Sequence, residues 1–260
     1  GVRPADAHYQ IGRVLEIQRD YDGALAHYEQ SLRLVPAARV HTRRGVLHAL
    51  RGNREAALHD FAQATTGEQP DAGGFFYRAM LRFDERNYDA ALEDLAAALE
   101  LDPDHANAYR EQGVIYALRG RQSAAINAFT EAVKRNPEDH EAFYYRANAY
   151  DASGDAVSAL ADYNAALDLH TDNAHYYYRR GKVRFSAEAY AEVIPDMAAA
   201  IALDDTIADA HFLLALCLMQ HAEDYAGAIS RLTRALELDP DNADIKAGLR
   251  IAQEKLDGQD

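Results

Sequence analysis

Four arginines stand sixteen residues ahead of four aspartates: Arg44 and Asp60, Arg78 and Asp94, Arg146 and Asp162, Arg180 and Asp196. A guanidinium fork can hold a carboxylate through two parallel hydrogen bonds, or the carboxylates can serve as acids and bases. Three other stretches in the same register lack the arginine, with Ile11, Gln112 and Leu214 in its place, and they also lack the aspartate, with His27, Ala128 and Ser230. The two residue types change together. That favours a structural ion pair between two helices over four acid–base sites, although copying of one repeat subtype would give the same covariation without contact. The eleven histidines show no metal-ligand spacing: His170 and His175 straddle a junction, and His8, His41 and His211 fall in a column that is otherwise aromatic. The single cysteine, Cys217, excludes an internal disulfide framework and a cysteine-based zinc site, and reads as a small buried hydrophobe. No His-Glu-x-x-His, phosphate loop or Gly-x-Ser-x-Gly occurs. No catalytic residue, metal or cofactor is expected.

The elements that position these residues are set by a period of 34. Small residues recur at Gly12, Gly45, Ala79, Gly113, Ala147, Gly181 and Ala215. A second column runs Ala24, Ala57, Ala91, Ala125, Ala159, Val193 and Ala228; a third, large and apolar, runs Tyr28, Phe61, Leu95, Phe129, Tyr163, Met197 and Leu232. Ser31, Ala64, Ala98, Ala132, Ala166, Ala200 and Ala235 form a fourth. Spacings of three and four within each unit put the columns on single helix faces. Each unit therefore reads as two helices, with small residues allowing close approach and large ones filling the gap. Gly52-Asn53, Gly120-Arg121, Gly154-Asp155 and Asn87 mark the turns, and Pro36, Pro70, Pro103, Pro137 and Pro240 close five of the units.

The period, the Gly/Ala–Tyr/Phe–Ala–Pro order and the helix-turn-helix reading resemble the tetratricopeptide repeat family. The resemblance covers about residues 5 to 242, as repeats at 5–37, 38–71, 72–105, 106–139, 140–173, 174–207 and 208–242, with a cap helix at 243–257 carrying Ile245, Leu249, Ala252 and Leu256. It implies an all-α, right-handed superhelical solenoid occupying 1–260 as a single domain. It also implies that the first helices line a concave groove that holds a partner. Carried over by position, the groove residues are Phe76, Tyr77, Arg110, Tyr144, Tyr145, Asn148, Tyr178, Arg179, Lys182 and Phe212. Six of these are aromatic and suit contact with a protein segment. Some relatives grip carboxylate tails of chaperones through a Lys/Asn clamp. Here the aligned window offers Arg110 and Val114, Tyr145, then His175 and Arg179, of which only the arginines suit, so chaperone-tail recognition is not expected.

A formal charge of −15 argues against nucleic acid as a partner. No apolar run is long enough to span a membrane. No signal-peptide pattern opens the chain, and a cytoplasmic setting is expected. The start at Gly-Val-Arg-Pro suggests a fragment or a processed chain. Within this acidic sequence the sixth repeat is locally basic, with Arg179, Arg180, Lys182 and Arg184 on one helix. If Asp196 takes Arg180, the others remain for a carboxylate or for acids of neighbouring repeats. Pro195 falls inside the second helix of that repeat, where it should remove a hydrogen bond and kink the helix. The seventh repeat carries one extra residue near Gln220–Asp224, expected to lengthen its turn. The functional expectation is a non-catalytic adaptor holding an extended or helical, acidic or C-terminal partner segment. The alternatives are a structural subunit of a large assembly, packing through its ends or outer face, and the regulatory arm of a longer enzyme.

Overall fold

The computed structural model describes residues 3–258, so Gly1 and Val2 of the opening tetrapeptide lie outside the described residues. All regular structure among these residues is helical. The chain forms two compact units, Gly1–Arg119 and Gly120–Asp260. The first holds α1 (Pro4–Ile17), α2 (Tyr21–Leu34), α3 (Ala38–Leu50), α4 (Arg54–Ala64), α5 (Ala72–Asp84), α6 (Tyr88–Leu101) and α7 (Ala106–Leu118). There α1 with α2, α3 with α4, and α5 with α6 pack as hairpins, and α7 lies on α6. The second unit holds α8 (Gln122–Arg135), α9 (His140–Ala152), α10 (Ala156–Leu169), α11 (Ala174–Ser186), α12 (Tyr190–Leu203), α13 (Ala208–Cys217), α14 (Tyr225–Leu238) and α15 (Ala243–Asp257). Its hairpins are α9 with α10, α11 with α12, and α13 with α14; α8 packs on α9, and α15 closes the unit against α14.

The small-residue column and the large apolar column meet inside each hairpin. A Cβ added at Gly12 would stand 2.6 Å from the Tyr28 ring, and one at Gly45 would stand 2.7 Å from Phe61. Such distances are well inside van der Waals contact, so the two helices sit as close as they do because one side offers no side chain. Tyr28, Phe61, Leu95, Tyr163, Met197 and Leu232 are all fully buried, as are the alanines of the second column. Cys217 is buried too, and burial pushes its thiol up to about 11, which suits an inert core residue.

The turns follow one design. The residue ahead of each second helix's cap is left-handed, at Arg19, Gly52, Arg86, Gly120, Gly154, Glu188 and Glu223. The next residue caps the helix: Asp20, Asn53, Asn87, Asp155 and Asp224 each accept a hydrogen bond from a backbone amide three residues on. Ala189 occupies the same place ahead of α12 and makes no such bond. The α12 helix continues unbroken through Pro195, which is exposed. The extra residue of the seventh repeat does not lengthen the turn as expected. It is absorbed in the end of the first helix as a π-helical turn, Leu218–Ala222, after which Glu223 and Asp224 resume the usual left-handed residue and cap.

Candidate functional site

The four arginine–aspartate pairs are bidentate clasps between the first and second helices of their hairpins. Arg44 donates from Nε and Nη2 to the two Asp60 oxygens at 2.8 and 2.7 Å. Arg78 does the same to Asp94 at 2.9 and 2.6 Å, and Arg146 to Asp162 at 2.6 and 2.8 Å. Arg180 donates to Asp196 from Nη2 at 2.6 Å, with Nε at 3.2 Å. All four aspartates are buried. In three clasps the guanidinium also covers the aromatic ring three residues earlier, Phe75, Phe143 or Tyr177, at 5.4 to 5.7 Å. The remaining guanidinium nitrogen crosses to the preceding second helix or its cap. Arg78 reaches Thr65 Oγ1 at 2.6 Å, Arg146 reaches Thr130 Oγ1 at 3.2 Å, and Arg180 reaches Asn164 Oδ1 at 2.7 Å. These three clasps thus tie their hairpin to the preceding second helix or its cap, and in all four the acid is consumed by structure.

Two features of the clasps were not read from the sequence. Arg82 and Arg184 stand four residues beyond the first arginine and add a second cation to Asp94 and Asp196, at 2.8 and 2.7 Å. The i, i+4 spacing on one helix face was the available signal. This corrects the expectation that Arg184 remains for a carboxylate ligand or for acids of neighbouring repeats, since Asp196 lies in its own repeat. In the second repeat, His41 replaces the aromatic ring and joins Arg44 on Asp60, with Nδ1 and Oδ1 2.9 Å apart. Burial alone would raise the Asp60 carboxyl, but hydrogen bonds from His41 and Arg44 bring it below the usual aspartate range. The first repeat has neither Arg nor Asp, and the corresponding pair is His8 and His27, whose Nδ1 atoms lie 3.0 Å apart.

The proposed partner-contact residues fall into three groups. Phe76 and Tyr178 are buried: Phe76 packs its ring 4.7 Å from His105, and Tyr178 donates its hydroxyl to Asp209 at 2.9 Å. Both side chains serve the junction to the next first helix and present little surface. Tyr77, Arg110, Tyr144, Tyr145, Asn148 and Phe212 are half-buried. Tyr77 and Tyr145 stack on Phe61 and Phe129 with the same geometry, 5.9 Å and 18°. Tyr144 stacks on Tyr176 at 4.5 Å, Asn148 accepts from the Tyr163 hydroxyl at 2.7 Å, Arg110 lies 3.4 Å from Glu111, and Phe212 packs on the Leu232 cluster. Arg179 and Lys182 are exposed, and Lys182 lies 5.6 Å from the Tyr178 ring centre. Within the second unit α9, α11 and α13 adjoin, so Tyr144, Tyr145, Asn148, Arg179 and Lys182 belong to one run of first helices. Among the described residues no cluster of His, Cys, Asp or Glu has the arrangement of a metal site. Among the described residues no helix is long and apolar enough to cross a membrane.

Known proteins match this description. Solved structures share the fold at low sequence identity. YrrB, described as a TPR protein with an unusual peptide-binding site, is 22% identical over 73% of this chain and 97% of its own, with a TM-score of 0.65. PilF of Pseudomonas aeruginosa is 17% identical over 81% of this chain and 95% of its own, with a TM-score of 0.70. A repeat protein of Cytophaga hutchinsonii is 18% identical over 93% of this chain and 99% of its own C-terminal part, with a TM-score of 0.68. No curated protein matches in sequence. Tetratricopeptide repeat family models match residues 5–38, 78–129, 120–174 and 171–243. With its repeated helical hairpins, the chain belongs to the tetratricopeptide repeat family, whose members are protein–protein interaction scaffolds.

Proposed function

We propose that the chain is a non-catalytic scaffold that holds an acidic segment of a partner protein on the first-helix face of Gly120–Asp260. The observation that carries this reading is the pair Arg179 and Lys182. They are exposed one turn apart on α11, in a chain of net charge −15 whose neighbouring arginines, Arg180 and Arg184, are bound to Asp196. Tyr144, Tyr145 and Asn148 on α9 supply apolar and hydrogen-bonding surface beside them, and Phe212 extends it on α13. A guanidinium next to an ammonium favours carboxylates, and tyrosine offers contact area at low entropic cost. Peptide binding is stated of YrrB, and this reading extends that class of function to the present chain on its own residues.

Tyr144 packs against Tyr163 and Tyr176, so its truncation would disturb the core. The cleaner test reverses the charges with Arg179→Glu and Lys182→Glu. Fluorescence anisotropy would compare a labelled peptide rich in Asp, Glu and Leu with its Asn/Gln counterpart. The acidic peptide should bind roughly tenfold more tightly, weaken with salt, and lose that advantage in the double variant with an unchanged melting temperature. Equal binding of the two peptides, or undiminished preference in the variant, would refute the reading.

A further inference from the structure

The second repeat leaves open a place that the third and sixth repeats fill with arginine. Arg82 Nη1 stands 2.8 Å from Asp94 Oδ2 and donates to the Ala90 carbonyl at 3.0 Å. Arg184 Nη1 donates to Asp196 Oδ2 at 2.7 Å and to the Glu192 carbonyl at 3.4 Å. In both repeats one guanidinium nitrogen bridges the buried acid and the carbonyl eight residues beyond its own, in the first turn of the second helix. The matching residues of the second repeat are His48, Asp60 and the Ala56 carbonyl. The imidazole does not span the gap: its Nε2 stops 3.9 Å from Asp60 Oδ2, beyond hydrogen-bond reach. Burial, with Arg44 and Arg51 nearby, holds His48 below the ordinary histidine range, so at neutral pH it supplies no second cation. The fifth repeat does without a second arginine in another way, since Tyr150 holds the position and packs into the cluster of Ala147 and Tyr163.

Where the second guanidinium would lie there is a cleft of about 390 Å³, lined by Arg44, His48, Glu55, Ala56, His59 and Asp60. Asp60 is 1% exposed, and its two oxygens are unequally used. Oδ1 accepts from Arg44 Nη2 at 2.7 Å and lies 2.9 Å from His41 Nδ1. Among the described residues Oδ2 has Arg44 Nε alone within hydrogen-bond distance, at 2.8 Å. A carboxylate oxygen has two lone pairs, so Oδ2 keeps the one that Arg82 and Arg184 engage on Asp94 and Asp196. Glu55, which is exposed, brings a second carboxylate to the same cleft.

We infer that this cleft binds a guanidinium group from outside the chain, which donates to Asp60 Oδ2 and the Ala56 carbonyl as Arg82 and Arg184 do within it, and pairs with Glu55. The chain itself defines the chemistry of the occupant, because the same acid and carbonyl are bridged by a guanidinium in two other repeats. A second guanidinium beside Arg44 is no obstacle, since Asp94 and Asp196 each hold two. A planar fork of donors suits two acceptors at fixed positions, which a compact ammonium matches less well. The group can come from an arginine of a partner protein or from a free guanidine compound. The site belongs to α3 and α4 and takes the opposite charge from the α9 and α11 face, so the two readings stand or fall separately.

The test follows the His48 and His59 imidazole resonances of the whole chain during titration with an arginine-centred pentapeptide, acetyl-Ala-Ala-Arg-Ala-Ala-amide, and with its citrulline and lysine counterparts. The arginine peptide should shift both resonances saturably with a Kd of about 1 mM, roughly tenfold tighter than either counterpart. Citrulline keeps the shape without the charge, and lysine keeps the charge without the fork. Equal binding of the arginine and lysine peptides would mean general attraction to an acidic chain and would overturn the inference, as would the absence of saturable shifts at roughly ten times that concentration. Propylguanidinium, the arginine side chain alone, separates the sources: binding as tight as the peptide's supports a free guanidine compound, and weaker binding supports a partner's arginine. His48→Arg supplies the missing guanidinium from within. It should abolish the peptide-induced shift at His59 and raise the melting temperature, and undiminished peptide binding by that variant would also overturn the inference.

Discussion

The fifth and sixth repeats lie side by side in the second unit and differ where it matters. Both clasp an aspartate with an arginine sixteen residues earlier, and both lay that arginine over an aromatic ring. The fifth repeat then follows every local rule for its second helix: Gly154 is left-handed, Asp155 caps α10, and Ala161 sits in the helix. The sixth repeat breaks all three at the same places, with Glu188 left-handed, Ala189 uncapped and Pro195 in the helix. It compensates at the clasp, where Asp196 accepts from Arg184 as well as Arg180 while Asp162 has Arg146 alone. The helix with the exposed cations, α11, is thus tied through two arginines to Asp196 in the middle of α12, while the start of α12 is poorly supported locally. Clasping at Asp196 and capping at the start of α12 are separable.

The largest effect should come from the clasp. Asp196→Ala leaves two guanidinium groups facing a buried hole and should cost about 3–5 kcal/mol, the range for breaking one side of a buried pair. Asp162→Ala orphans one guanidinium and should cost less in a urea melt. Arg146→Leu added to Asp162→Ala should recover part of the loss, and if single and double variants unfold alike the clasp is not an energetic unit. Next comes the proline. Pro195→Ala should stabilise by up to about 3 kcal/mol, and Ala161→Pro in the fifth repeat should destabilise by a similar amount. Capping follows: Ala189→Asp should raise stability by about 1 kcal/mol. Asp155→Ala should lower the melting temperature. The hydrogen bond to Ser158 holds the Asp155 carboxyl below its usual range, so its contribution is present above that range and is lost as pH falls through the lowered value. Acid should therefore weaken the α10 cap, with no counterpart at Ala189, which has no cap carboxylate to protonate. The smallest effect belongs to the turn. Glu188→Gly should gain about 0.5–1 kcal/mol by relieving a left-handed residue, and Gly154→Ala should lose a comparable amount.

Much of this fold could be read directly because each contact recurs. Gly12, Gly45 and Gly181 face Tyr28, Phe61 and Met197, so one steric requirement is written three times at the same spacing. The arginine–aspartate spacing was legible for the same reason. Exposure on the first-helix face was harder to read. Tyr144 is half-buried and Tyr178 is buried in the same column, because Tyr178 meets Asp209 on the next first helix while Tyr144 meets Tyr176. Those partners belong to individual junctions and not to the period. Arg184 was left to a carboxylate ligand or to acids of neighbouring repeats because its neighbour Arg180 already accounted for Asp196, whereas a carboxylate has lone pairs for both. The π-turn was hidden because one inserted residue has two outlets, the loop or the helix end.

The most direct test of the account is native-state amide exchange across the second unit at neutral pH. It asks whether α11 is held as firmly as α9 while α12 is looser than α10. The prediction is matched protection for α9 and α11, with the first two turns of α12 exchanging roughly tenfold faster than those of α10, a difference of about 1.4 kcal/mol. Equal protection of α10 and α12, or an α11 that opens together with α12, would contradict it.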